Sequence, residues 1–197
     1  MTFLRNALWI LAATLIPATG LFSAPEKSTD PQDYRIGNPD SNVDVFIVTN
    51  WFCGHCQALE PSLQKFLPKI LEKSQVTFVD LAFEGSENES LAKINLAFLI
   101  NNKQDYLKIR PILEKIARSD ATPEIIAAEL KKNQIDVTPL DDATFTQLED
   151  NFKKLLPKME VSATPTIVVI NRKTQEKKKL TGEQITEQKV METINKI

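Results

Sequence analysis

Dense clusters of β-branched and aromatic residues interrupt a chain whose other apolar positions recur at helical spacing. Val43 to Asn50 (VDVFIVTN) and Val76 to Phe83 (VTFVDLAF) read as mostly buried strands, and Thr166 to Asn171 (TIVVIN) as another. A polar turn leads to a last strand, Lys177 to Thr181, and Gly182 precedes a closing helix over Glu183 to Lys196. Between the first two strands the spacing predicts a helix reaching Lys73, with Leu59, Leu63, Phe66 and Ile70 along one face. Pro61 and Pro68 predict kinks in it, because each removes a backbone donor and crowds the preceding turn.

From Gly85 to Met159 the pattern is helical throughout. Leu91, Ile94 and Phe98 form one stripe, Tyr106, Ile109, Ile112 and Ile116 a second, and Phe145, Leu148, Phe152 and Leu155 a third. Thr122-Pro123-Glu124 marks a helix start, with a capping hydroxyl, a proline at the first helical position and an early acid. These stripes predict the core of a small helical subdomain at residues 85–159. With it set aside, the order is β-α-β followed by β-β-α, an α/β domain made of residues 43–84 and 160–197.

Residues 1–24 follow another logic. Arg5 precedes an apolar run from Ala7 to Ile16, and Ala18 and Gly20 fit a small-x-small cleavage site, so the segment reads as a secretory signal. A cut after Gly20 fits better than one after Ala24, where Phe22 is bulky. The alternative is an uncleaved membrane anchor, but Pro17 and Gly20 interrupt a run shorter than the ~20 apolar residues that span a bilayer comfortably. Once the signal is removed, no stable membrane insertion is expected. Residues 25–42, rich in Pro, Ser, Asp and Asn, predict a flexible lead-in. Net charge is only −2 and no basic block interleaved with aromatics occurs, which argues against a nucleic-acid partner.

Export changes the meaning of the cysteines. Secreted domains use disulfides as staples, yet the only two cysteines here, Cys53 and Cys56, would close a loop too short to restrict the unfolded chain. A reactive pair explains them better. They lie where a strand ends and a helix begins, so free backbone N–H groups and the positive end of the helix dipole favour a thiolate, chiefly at Cys53. Cys56, one turn on, is placed to attack a mixed disulfide and release the product. His55, the sole histidine, can donate to the Cys53 sulfur or set positive charge near it. With no second CxxC and no further histidine, a tetrahedral zinc site is incomplete, and neither metal nor cofactor is expected. Two thiolates suffice for Cu(I), which leaves a copper-binding module as the alternative of a different class. Pro165, after Thr164, opens the TIVVIN strand; taken by itself it is compatible with either a cis or a trans bond.

The element order, WFCGHC at the strand-to-helix junction, Pro61 five residues after Cys56, and VSATPTIVV together resemble the thioredoxin superfamily over residues 36–197. The long helical insertion is similar to that of its DsbA-like branch. The resemblance implies a thioredoxin fold with an inserted helical subdomain, with Cys53 as nucleophile and Cys56 as resolving cysteine. It implies that Pro165 is cis, packs beside the sulfurs and, with Thr164, offers backbone to an extended substrate. CGHC is the tetrapeptide of protein disulfide isomerases, in which the histidine makes the site more oxidising than thioredoxin. The implied role is that of a monomeric oxidant of exported protein thiols in the bacterial periplasm, served by a membrane redox partner. A periplasmic reductase or isomerase is the alternative, and the endoplasmic reticulum lumen the alternative location. One position departs from the pattern: Ile47 stands where thioredoxins and many DsbA relatives carry a buried acid for proton transfer. Disulfide isomerases of the DsbC and DsbG type share an apolar residue there and a Thr before the proline, but residues 25–42 are too few for their dimerisation domain.

Overall fold

The apolar runs become the strands of one sheet. A computed structural model describes residues 29–82, 87–119 and 121–197, so the segment read as a signal lies outside the described residues. The strands are β1 (Arg35–Gly37), β2 (Val43–Thr49), β3 (Gln75–Asp80), β4 (Thr166–Asn171) and β5 (Lys177–Thr181). Their order across the sheet is β1-β3-β2-β4-β5, which puts β2 in the middle. β2 runs parallel to β3 and antiparallel to β4, and Ile47 lies between Phe78 on one side and Ile167 on the other. A central strand covered on both faces needs a nearly continuous apolar sequence, which is what VDVFIVT supplies.

Helix α1 (Gly54–Lys73) follows β2 and buries Leu63, Phe66, Leu67 and Ile70. It runs as one element through Pro61 and Pro68, both on its exposed face. Proline 61 leaves the Gln57 carbonyl without its helical donor, and Arg118 donates to that oxygen instead. The inserted helices are α2 (Glu87–Asn101), α3 (Tyr106–Ala117), α4 (Pro123–Lys132) and α5 (Asp142–Lys158), and α6 (Glu187–Lys196) closes the chain. Thr122 caps α4 as the sequence predicts, accepting from the Ile125 N–H at 3.4 Å.

The buried residues of the inserted helices join those of the sheet and of α1 in one cluster. α2 shows why, for Leu91, Ala92, Leu96, Ala97 and Leu99 are all at most 1% exposed, so it is covered on nearly every side rather than along one stripe. One expectation changes, that of a flexible lead-in, of which residues 29–42 are built into the fold. Asp30 caps a 3-10 turn at Pro31–Tyr34, and β1 then pairs antiparallel with β3. Tyr34 and Ile36 are buried, and two apolar residues are too few to show a period. Gly37 ends β1 at φ 101°, where a Cβ would lie 2.4 Å from the Ser74 carbonyl oxygen, so no other residue fits without moving that backbone. Among the described residues no helix is long and apolar enough to cross a membrane.

Candidate active site

Cys53 is the N-cap residue of α1, and its carbonyl accepts from the Gln57 N–H at 2.9 Å. Every residue of the loop before it is tied down. The Cys53 N–H donates to the Asn50 carbonyl at 3.1 Å, the Phe52 N–H to Asn50 Oδ1 at 2.9 Å, and Asn50 Nδ2 to the Leu81 carbonyl at 2.9 Å. Gln57 Nε2 donates to the carbonyls of Trp51 (2.9 Å) and Ala117 (3.2 Å), which joins the loop to the end of α3. Trp51 is buried, and Phe52, beside it, is exposed.

β4 pairs with β2 from Val48↔Thr166 onward, so the segment just before β4 comes up beside the start of α1. There the Thr164–Pro165 peptide bond is cis, and Cys53 Sγ lies 3.7 Å from the Thr164 carbonyl oxygen. His55, Leu59, Thr164, Pro165 and Gly182 line an open groove of about 540 Å³ next to the sulfur. Cys53, His55, Thr164 and Pro165, singled out in the sequence, thus share one surface, whereas Cys56 lies beneath it. His55 is exposed. A second groove, of about 520 Å³ between β5 and α6, contains neither cysteine.

Both cysteines are unpaired thiols, and their pKa values are displaced in opposite directions. Burial pushes the Cys53 thiol up, but bonds with the Thr164 side chain, with the backbone and thiol of Cys56 and with the His55 backbone outweigh it and hold Cys53 below the ordinary cysteine value. That is the behaviour of a sulfur at a helix N-terminus, where N–H groups have no partner within the helix. Burial pushes Cys56 above its ordinary value, and proximity to Cys53 adds to it; bonds with the Thr49 side chain, the Asn50 backbone and the Thr164 side chain only moderate the rise.

Beneath Cys56 lies a group of polar residues that the hydrophobic pattern does not reveal. Glu60, one turn further along α1, faces the same way as Cys56 and is 4% exposed. Its carboxylate accepts from Arg110 Nε at 2.6 Å and from Arg110 Nη2 at 2.8 Å, a two-pronged ion pair, while Arg110 Nη1 donates to the Tyr106 hydroxyl at 2.6 Å. The guanidinium stacks on Phe78 at 4.1 Å and on Trp51 at 4.9 Å from the ring centroids. Burial alone would favour a neutral Arg110, but Tyr106 and Glu60 hold it protonated well above its ordinary range. Asp80, at the end of β3, accepts from Trp51 Nε1 at 3.2 Å and from Asn95 Nδ2. Cys56, Glu60, Thr49 and Trp51 line a cavity of about 10 Å³, at the lower limit for a single water. Ile47, where the acid is missing, is 1% exposed and packs within the sheet. The signal for Glu60 and Arg110 was helical spacing from Cys56 and from Tyr106; neither reads as buried without knowing the other.

Comparison with known proteins agrees with this geometry. Residues 29–190 match the family described as Thioredoxin. Among curated proteins no sequence matches. Among solved structures, a periplasmic thioredoxin-like protein from Salmonella enterica serovar Typhimurium superposes with a TM-score of 0.64 at 20% identity, over 84% of this chain and 90% of that one. BdbD from Bacillus subtilis, in its oxidised form, gives 0.62 at 21% identity, over 85% and 94%. The thiol-disulfide exchange protein alpha-DsbA2 from Wolbachia pipientis gives 0.60 at 18%, over 82% and 84%. These likenesses are of fold, and with the match over residues 29–190 they show that the chain belongs to the thioredoxin family.

Proposed function

We propose that the chain is an exported thiol–disulfide oxidoreductase that passes disulfides to protein substrates. The inequality of the two thiols carries the reading: Cys53 is held below its ordinary pKa at a helix start, and Cys56 above its own beneath it. A substrate thiolate attacks the Cys53 sulfur of the oxidised pair, the Cys53–Cys56 bond breaks, and Cys56 leaves and takes a proton. The second substrate thiolate then displaces Cys53, which departs as the stabilised thiolate. A stabilised leaving thiolate favours the reduced protein, and so favours an oxidant. The groove at Thr164 and Pro165 seats the substrate chain beside the sulfur. Glu60, through the cavity it shares with Cys56, takes the part of the acid that Ile47 replaces. The site of action is the periplasm, the protein works as a monomer, and a membrane redox partner restores its disulfide. A reductase or isomerase is the second reading, favoured by Ile47 and Thr164.

The test is to equilibrate the protein with glutathione buffers and to mix its oxidised form with a reduced, unfolded protein. Disulfide transfer with a strongly oxidising equilibrium is the expected result. Transfer with a thioredoxin-like equilibrium would replace the oxidant by the reductase reading. Stoichiometric Cu(I) retention without any exchange would replace both.

A further inference from the structure

Asp80 and Asn95 are both buried, at 1% and 0% exposure, and are joined by a bond from Asn95 Nδ2 to Asp80 Oδ2. Each keeps one further oxygen, Asp80 Oδ1 and Asn95 Oδ1, buried and without a hydrogen-bond partner among the described residues. An orphaned buried acceptor is costly, and here two stand on side chains already in contact. Turning the Asn95 amide over would only set oxygen against oxygen. A proton on Asp80 changes this, because the acid becomes a donor and an acid and an amide can then satisfy each other on both edges. The charges around the pair agree. α3 contributes Arg110 and the Tyr106 hydroxyl, α1 contributes Glu60, and α5 contributes Glu149, which accepts from the Ala82 N–H at 3.2 Å beyond the end of β3. Around Arg110 two acids, Glu60 and Asp80, face one cation, so ionising both leaves an uncompensated charge in the interior.

We propose that Asp80 and Asn95 hold an exchangeable proton whose occupancy is linked to the redox state of Cys53, making Asp80 a positioning residue for the reactive loop. The link runs through Trp51, whose indole N–H is bonded to Asp80 and whose carbonyl is bonded to Gln57 on the first turn of α1. Reduction of the pair by a substrate dithiol gives a substrate disulfide, a Cys56 thiol, a Cys53 thiolate and one proton. The new thiolate is a second negative charge near the loop, so it favours the protonated form of Asp80, and by reciprocity a neutral Asp80 favours the thiolate. Burial, against the opposing effects of Arg110 and Trp51, pushes the Asp80 pKa up to about 6, within the range a periplasmic protein meets. The linkage to Cys53 rests on the exchange activity proposed above; the proton on Asp80 does not.

The experiment uses the full chain with Trp9→Phe, so that Trp51 is the sole tryptophan. Its fluorescence is titrated from pH 4 to 8 in the disulfide and the dithiol forms, and the Asp80 carboxyl is followed by carbon NMR in parallel. Expected is a midpoint near pH 6, higher by about half a pH unit in the dithiol form. Since the folded pKa lies above the unfolded one, stability should fall as pH rises from about 4 to 6. Asp80→Asn, which mimics the protonated acid and supplies the one missing bond with an amide N–H in place of Oδ1, should abolish the titration and the stability slope. Its unfolding temperature at pH 7.5 should match or exceed that of the parent, and its potential there should be more oxidising. A carboxyl titrating near pH 4, or at one midpoint in both redox forms, overturns the proposal, even if the variant does not fold. Marked destabilisation of Asp80→Asn at pH 7.5 also overturns it, because the fold would then require the ionised acid. Absence of exchange activity with the Asp80 titration intact would instead sink the proposed function and spare the buried proton.

Discussion

Cys53 and Cys56 share one turn of α1, yet the molecule surrounds them with opposite environments. Around Cys53 are backbone N–H groups, the cis-proline loop and an open groove; around Cys56 are Thr49, a water-sized cavity and the Glu60–Arg110 pair. The outer environment comes from the thioredoxin core, from the start of α1 and the segment before β4. Much of the inner one comes from the insertion, since Arg110, Tyr106 and Asn95 lie on α2 and α3. A CxxC motif supplies two equivalent thiols, and the fold makes them unequal. The insertion therefore belongs to the floor of the site.

Exchanging the two roles is the hardest test of this difference. Cys53→Ser should abolish exchange, whereas Cys56→Ser should still attack and should accumulate mixed disulfides. Alkylating the reduced protein over a pH series should label Cys53 first at pH 6, and labelling of Cys56 first would invert the comparison. The next largest effect should come from the floor. Arg110→Leu strands the Glu60 carboxylate in the interior and should cost about 3–5 kcal/mol in urea unfolding. Adding Glu60→Leu should recover most of that loss, because an apolar pair leaves no charge unpaired. If the single variant costs no more than the double, the ion pair is not what holds the floor.

Much of the sheet was legible because its strands are uninterrupted β-branched runs, and β4 and β5 begin and end where the pattern places them. The lead-in was not, since its turn and β1 are held by one cap, one glycine and two buried side chains. Arg110 shows a deeper limit. The stripe through α3 predicts Ile112 inside, but Ile112 is only half-buried and Arg110 is 1% exposed. A charge becomes a core residue only through a partner, and Glu60 lies 50 residues earlier in the chain. Local periodicity carries no record of that pairing. The cysteines, Thr164 and Pro165 could be singled out because their chemistry is written in adjacent residues.

Smaller perturbations sharpen the contrast between the sulfurs. Thr49→Val removes a bond that moderates the rise of the Cys56 pKa. It should raise that pKa further and slow release of a mixed disulfide by Cys56 attack about fivefold, roughly the worth of one neutral hydrogen bond, with Cys53 alkylation unchanged. Stopped-flow release kinetics would show it, and an equal effect on both cysteines would mean that the two environments are not separable. The smallest change should follow His55→Ala. The imidazole is exposed, so its charge is screened by solvent. The potential should move in the reducing direction by only about 15 mV, or ~0.7 kcal/mol. A shift several times larger in a glutathione titration would show that the exposed side of the site sets its redox balance.

The edges of the sheet have a consequence for the proposed work on protein substrates. A catalyst that handles unfolded chains meets loose strands, and any open edge invites them to pair with it and aggregate. Here one edge is β1, only three residues long and ended by the turn at Gly37. The other is β5, which begins Lys177-Lys178-Lys179, a row of cations that an incoming strand would have to desolvate. Both borders are thereby made poor templates. Under the proposed function, contact with a protein substrate falls instead to the groove beside Cys53, where it ends in a disulfide that the protein can break.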